Sequence, residues 1–225
     1  MPIEAIIEAV EPGIDVVYAD DAILVLDKQS GLLSVPGRGP DKQDCLSTRV
    51  QAVFADALVV HRLDMATSGL IVMARGLAAQ RALGDAFANR TVSKRYEAVV
   101  YGEVPPTEGE GRVIDLPIAV DWPNRPLRVV NHETGKPSLT LLQRQYFDAQ
   151  RNASHVLLEP LTGRTHQLRL HLQAIGHPIL GDALYAPPEV AAQAPRLLLH
   201  ACALGFAHPV SGIRMQFSRR HLTSA

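Results

Sequence analysis

Apolar residues in this chain come mostly in short runs that alternate with polar ones, and glycine, proline and aspartate separate the runs. Runs of this length predict strands. Residues 16–18 and 22–26 make two of them around Asp20-Asp21, and 58–60 and 70–74 make two more across a polar connection. A longer strand is predicted at 92–101, where Lys94, Tyr96, Ala98 and Val100 share one face and Arg95, Glu97 and Tyr101 the other. Tyr96 then lies on the more apolar face. Residues 155–159 form a strand that ends at Pro160, and 196–207 pairs with 213–217 through Pro209-Val210-Ser211-Gly212. Helical spacing is confined to 44–54 (Leu46, Val50, Val53), 77–89 (Leu83, Phe87) and 165–175 (Leu168, Leu172, Ile175). Gly176 closes the last of these. The stretches 31–39, 102–111 and 121–126 are rich in breakers and read as loops; the last, DWPNRP, has an exposed-looking Arg125 and suits a binding loop.

Strands in hairpin-like succession with few helices predict an α+β fold, a mixed and mostly antiparallel sheet flanked by helices. The absence of GxGxxG weakens a doubly wound parallel alternative. Pro12-Gly13 punctuates the chain before the first apolar alternation, so 1–15 reads as a weakly ordered lead-in and 16–225 as a single domain. With 225 residues, 47% of them hydrophobic, there is ample material for a core. The N-terminal MPIEAIIEAV has acidic rather than basic residues and no long apolar run follows it, which predicts a soluble cytoplasmic protein. Cys45 and Cys202 match no metal or disulfide spacing and read as free structural thiols. A net charge of −1 exerts no overall pull on polyanions. Any nucleic-acid site must therefore be a local patch. Basic residues do cluster, Lys94 with Arg95, Arg125 with Arg128 and Arg164 with Arg169, although such clusters ordinarily belong to solvated faces.

Among familiar catalytic patterns, HExxH, GxSxG, the P-loop and the EF-hand are all missing. His166 and His171 are five apart, which does not put them on one helix face, and no carboxylate or cysteine beside them completes a metal set. What remains are two glycine-punctuated polar segments between apolar elements, HRLDMATSG at 61–69 and LTGRTHQLRLHL at 161–172. A polar loop at a strand end is positioned by the scaffold and reached by substrate, so it is a natural carrier of catalytic groups. On residue chemistry alone two readings stay open. Asp64 and Arg164 are either reactive groups, or they cap a turn and pair with a surface carboxylate.

These segments resemble the two signatures of the RluA family of pseudouridine synthases: HRLDMATSGLIVMA at 61–74 and LTGRTHQLRLHLQAIGHPILGDALY at 161–185, in the family's order. VLDKQSGLLSVPG at 25–37, KRYEAVVYG at 94–102 and LLLHA at 197–201 extend the likeness. Gln29 departs from the family, which more usually has proline there, in a loop expected to lie away from the chemistry. The resemblance implies a pseudouridine synthase fold with a central RNA-binding cleft and isomerisation of uridines in structured RNA, without cofactor or metal. It further implies Asp64 as the nucleophile and Arg164 as the cation that keeps it charged. Tyr96 would stack on the target base and Leu168 pack on its other side, and Arg62 would fill the space an extruded base leaves. His61 and Thr67-Ser68 would support the loop. Lys94, Arg125 and Arg128 are expected to contact RNA.

HRLDMATSG, DWPNRP and ETGKP at 133–137 are most similar to members acting on both tRNA and 23S ribosomal RNA, the tRNA target being an anticodon stem–loop. No S4-like domain is expected before Val16, and the expected state is a monomer with no obligate protein partner. The rival readings are a glycoside or nucleoside hydrolase, which generally requires a second acid that neither segment offers, and a non-catalytic RNA-binding module.

Overall fold

A computed structural model describes residues 13–107, 109 and 111–219. Residues 1–12 of the expected lead-in lie outside the described residues, and Asp15 already opens a strand. In chain order the first elements are β1 (Asp15–Ala19), β2 (Ile23–Lys28), α1 (Leu46–Val53), β3 (Ala57–Val59), β4 (Ser68–Arg75) and α2 (Leu77–Ala88). There follow β5 (Ser93–Tyr101), β6 (Arg112–Asp115), β7 (Ile118–Val120), β8 (Arg128–Val130), β9 (Leu139–Asp148) and β10 (Ala153–Pro160). Last come α3 (Gln167–Ala174), α4 (Pro188–Ala191), β11 (Leu199–Ala207) and β12 (Arg214–Ser218).

The chain divides into two compact units, one comprising the residues up to Ser93 together with Ala201–Arg219, the other Lys94–His200. In the first unit β2 lies between β1 and β4, antiparallel to both, β3 pairs with β4, and β12 pairs with β11. β2 and β4 are buried on both faces, as their unbroken apolar cores ILVL and LIVMA require. α2 sets Ala79 and Leu83 into a core with Ile23, Val25, Leu70, Val72 and Phe206. Gly69, in β4, has φ +113°, and a Cβ there would collide with the Ala201 carbonyl oxygen. Only glycine allows this close approach.

In the second unit β10 runs antiparallel between β5 and β9, β6 adds to β9, and β7 and β8 form a separate hairpin. The α+β class and the antiparallel pairings agree with the sequence pattern, and the three predicted helices form with shorter ends. α3 begins at Gln167 rather than 165 because His166 adopts a left-handed conformation, φ 57°. It ends as predicted at Gly176, where Gly176 N–H bonds to Gln173 O and His177 N–H to Leu172 O.

One expectation fails and one strand was not foreseen. The alternation along β5 holds only at its start, since Glu97 is 8% exposed beside buried Ala98, Val99 and Val100. The reason is that 178–198 folds over the strand end: Val99 N–H bonds to Leu198 O, and Val99 packs with Leu180 and Val190. β9, with the mixed sequence LTLLQRQYFD, also escaped prediction. Its pairing with β10 and β6, not its own periodicity, makes it a strand.

Candidate active site

Asp64 lies in the connection from β3 to β4, and this connection is held from below by the segment that follows β2. Ser34 Oγ donates to Leu63 O at 2.8 Å and accepts Leu63 N–H at 3.1 Å. Ser30 Oγ donates to Ala66 O at 2.7 Å, and Gly31 N–H donates to Met65 O at 2.8 Å. The residues on both sides of Asp64 are thus fastened by name. Thr67 N–H closes the turn onto Asp64 O at 3.1 Å. His61 ties the start of the connection to its neighbours: its Nε2 accepts Val72 N–H from β4 at 3.1 Å, and its ring stacks on Phe87 of α2 with centroids 4.4 Å apart.

The most buried group in this clamp is a lysine. Lys28, 0% exposed, donates from Nζ to the carbonyl oxygens of Gln29, Leu32 and Met65 at 2.9, 2.7 and 3.1 Å. Burial pulls its ammonium down to about pKa 8, while the Asp64 carboxylate opposes that shift by favouring the charged form. The loop containing Gln29 was expected to lie away from the chemistry. Instead the Gln29 carbonyl is one of the ligands of this ammonium, so the loop is part of the Asp64 support.

Arg164 belongs to the second unit, in the turn between β10 and α3. Gln167 organises that turn: its Oε1 accepts Thr162 Oγ1–H at 2.8 Å and Arg164 N–H at 3.0 Å, while its Nε2 donates to Leu139 O and Thr140 Oγ1. The Arg164 Nε is buried and has no hydrogen-bond partner among the described residues. Behind the turn, Arg169 makes a bidentate pair with Asp182, Nε to Oδ2 at 2.8 Å and Nη2 to Oδ1 at 2.6 Å. With exposures of 4% and 0%, this pair corrects the reading of Arg169 as part of a solvated cluster. Asp182 Oδ1 also accepts the N–H groups of Leu184 and Tyr185. Tyr185 Oη in turn bonds His166 Nδ1 at 2.7 Å and accepts Arg128 N–H at 2.9 Å. His171, buried, bonds Thr140 Oγ1 and Leu116 O, and burial lowers its pKa.

The remaining predicted residues are placed as follows. Arg62 is exposed, next to buried Leu63. Lys94 and Tyr96 are half-buried at the start of β5, and Leu168 is buried on α3 at 7% exposure. Arg125 is exposed between β7 and β8, and Arg128 is half-buried at the foot of that hairpin. Asp64 and Arg62 therefore belong to one unit, and Lys94, Tyr96, Arg125, Arg128, Arg164 and Leu168 to the other.

A family model described as RNA pseudouridylate synthase matches residues 22–174. The dual-specificity RNA pseudouridine synthase RluA of Escherichia coli K12 is 51% identical over 207 residues, 92% of this chain and 93% of that protein. The chain belongs to the RNA pseudouridylate synthase family. The resemblance drawn from the two signatures is thereby borne out, and this family member is an RNA-modifying isomerase that turns uridine into pseudouridine. The RluA of Yersinia pestis is likewise 51% identical, over 202 residues, 90% of this chain and 96% of that one. Among solved structures, human RNA pseudouridylate synthase domain containing 1 superposes with a TM-score of 0.76 at 28% identity, covering 94% of this chain and 86% of its own. This likeness establishes the α+β pseudouridine synthase fold.

Sequence reading missed the supporting residues Lys28, Ser30, Ser34, Gln167 and Asp182. All five sit inside stretches that matched the family, Lys28, Ser30 and Ser34 in 25–37 and Gln167 and Asp182 in 161–185, but nothing in those stretches names their hydrogen-bond partners.

Proposed function

We propose that this synthase modifies uridines in both tRNA, at an anticodon stem–loop, and 23S ribosomal RNA, with Asp64 as the nucleophile. The dual substrate is supported by identity near one half, over almost the full length, to proteins named dual-specificity RNA pseudouridine synthase. The carrying observation for Asp64 is its loop: an acid at a strand end whose flanking backbone is fastened by Ser30, Gly31, Ser34 and a buried ammonium. Rigid support of this kind is what a reacting group requires and a solvated capping acid does not.

In the reaction the N1–C1′ bond of uridine breaks, the uracil turns, and C5 bonds to C1′ while the C5 proton is released and N1 takes one up. No electron is gained or lost, so the proposal includes no cofactor. Asp64 acts on C1′ or on the uracil, or removes a sugar proton. Arg164 is assigned as the cation that keeps the carboxylate ionised, and its buried Nε without a partner supports a role toward an anion. Tyr96 and Leu168 are assigned to the two faces of the base. Arg62, exposed beside the loop, is assigned to the space left by the extruded nucleotide, whose extrusion costs a few kcal/mol. Lys94, Arg125 and Arg128 are assigned to RNA phosphates. The working form is proposed to be a cytoplasmic monomer over 16–225, where tRNA and ribosomes are its substrates.

The test is Asp64→Asn. The variant is expected to fold and bind RNA yet release no tritium from C5-labelled uridine in tRNA. Release near the wild-type rate would overturn the assignment.

A further inference from the structure

The connection between β7 and β8 carries the chain's single tryptophan, Trp122, at 67% exposure. An isolated exposed apolar residue needs no explanation, but this one is built into a frame. Asp121 accepts Asn124 N–H and both Nδ2 contacts with its two carboxylate oxygens, Leu127 N–H bonds to Asn124 O, and Asp121 N–H bonds to Leu127 O. These bonds close the loop on itself and leave 122–126 facing solvent. Within it the Arg125 guanidinium stands 4.8 Å from the Trp122 ring centroid. One face of the indole is therefore taken by a cation. At its foot the hairpin is tied to the Arg164 turn, because Arg128 N–H donates to Tyr185 Oη, which bonds His166 Nδ1, and His166 lies two residues after Arg164.

We propose that Trp122 is a stacking platform for an unpaired base of the RNA substrate, with Arg125 holding the ring and reaching the adjacent phosphate. The inference rests on the RNA pseudouridine synthase reading and adds to it a residue that selects loops over duplex. An indole can stack only on a base whose face is open, and paired bases inside a helix have none to offer. Cation–π contact on the far side fixes the ring before RNA arrives and lowers the cost of ordering it. A mobile surface tryptophan lacks both features. The anchor to the Arg164 turn places the platform in the same structural unit as a signature of the family.

Because Trp122 is the only indole, its fluorescence reports the contact directly. The Asp64→Asn chain is titrated with an RNA hairpin bearing a uridine-containing loop, and binding is followed in parallel by anisotropy of the end-labelled RNA. The expected result is quenching with the same midpoint as the anisotropy change. Trp122→Ala should weaken hairpin binding roughly tenfold, the loss of one stacked base, and Trp122→Phe should recover most of it. With abasic nucleotides in the loop, wild type and Trp122→Ala should bind alike. Hairpin binding with unquenched fluorescence, or equal affinity for Trp122→Ala and wild type, would overturn the platform while leaving the enzyme assignment intact. Absence of both hairpin binding and tritium release by the wild-type chain would overturn the proposed stem–loop substrate and the platform together.

Discussion

The loop that carries Asp64 and the loop that carries Trp122 are both short polar connections between antiparallel strands, and in the sequence they look alike. In the fold they are treated in opposite ways. The Asp64 connection is fastened along its length, by Ser34 to Leu63, Lys28 and Gly31 to Met65, and Ser30 to Ala66. Among the described residues the Trp122 connection is closed by its own Asp121, Asn124 and Leu127, and is anchored at the foot by Tyr185. A group that reacts must be held to a fraction of an ångström, whereas a group that meets a variable RNA surface must reach outward. The difference matches the roles proposed for them, chemistry for Asp64 and recognition for Trp122.

Breaking the fastened loop should therefore cost activity or stability, and trimming the outward loop should cost binding alone. Asp64→Asn is the extreme case, with a loss of turnover of at least roughly a thousandfold and an unchanged thermal midpoint, read by tritium release and calorimetry. Next comes Asp182→Ala in the second unit. It strands the buried Arg169 guanidinium and the amides of Leu184 and Tyr185, and should destabilise the protein by about 3–5 kcal/mol in urea unfolding.

Lys28→Met should cost about 2–4 kcal/mol, because it leaves three carbonyls without their shared donor. The pH dependence of that cost has a definite sign. Folded Lys28 titrates at about 8 against an ordinary 10.5, so between these values the unfolded chain binds the extra proton. The contribution of Lys28 thus rises with pH across that window, and the stability gap between wild type and Lys28→Met should widen from pH 8 to 10.5. Since the Asp64 carboxylate favours the charged ammonium, Asp64→Asn should move the Lys28 titration still lower, as NMR of its ε-carbon would show. An unmoved titration would deny the coupling. The smallest stability effect is expected for Trp122→Ala, within about 0.5 kcal/mol, because its ring is mostly in water.

Much of this was legible in the chain. The strands from β1 to β5, the three longer helices and the glycine that ends α3 follow from local periodicity and turn chemistry. Asp64 and Arg164 stand out because polar signatures interrupt apolar runs. Other features could not be read this way. A lysine after the apolar strand ILVLD looks like a surface residue until three carbonyls converge on it, and Gln29 looked remote until its carbonyl proved to be one of them. Arg169 and Asp182 are separated by a helix end and a turn, and only folding makes them a dry pair. β9 has no clean alternation and exists because β10 and β6 hydrogen-bond to either side of it.

Reaction class and the acid proposed to react were thus carried by short contiguous segments, since a carboxylate, an arginine and the glycines beside them are specified residue by residue. Which groups hold that acid, and which tryptophan face is offered to solvent, depended on the folded chain. Burial, the convergence of distant hydrogen-bond partners and the displacement of a lysine pKa are properties of surroundings, and surroundings arise only when separate segments are packed together.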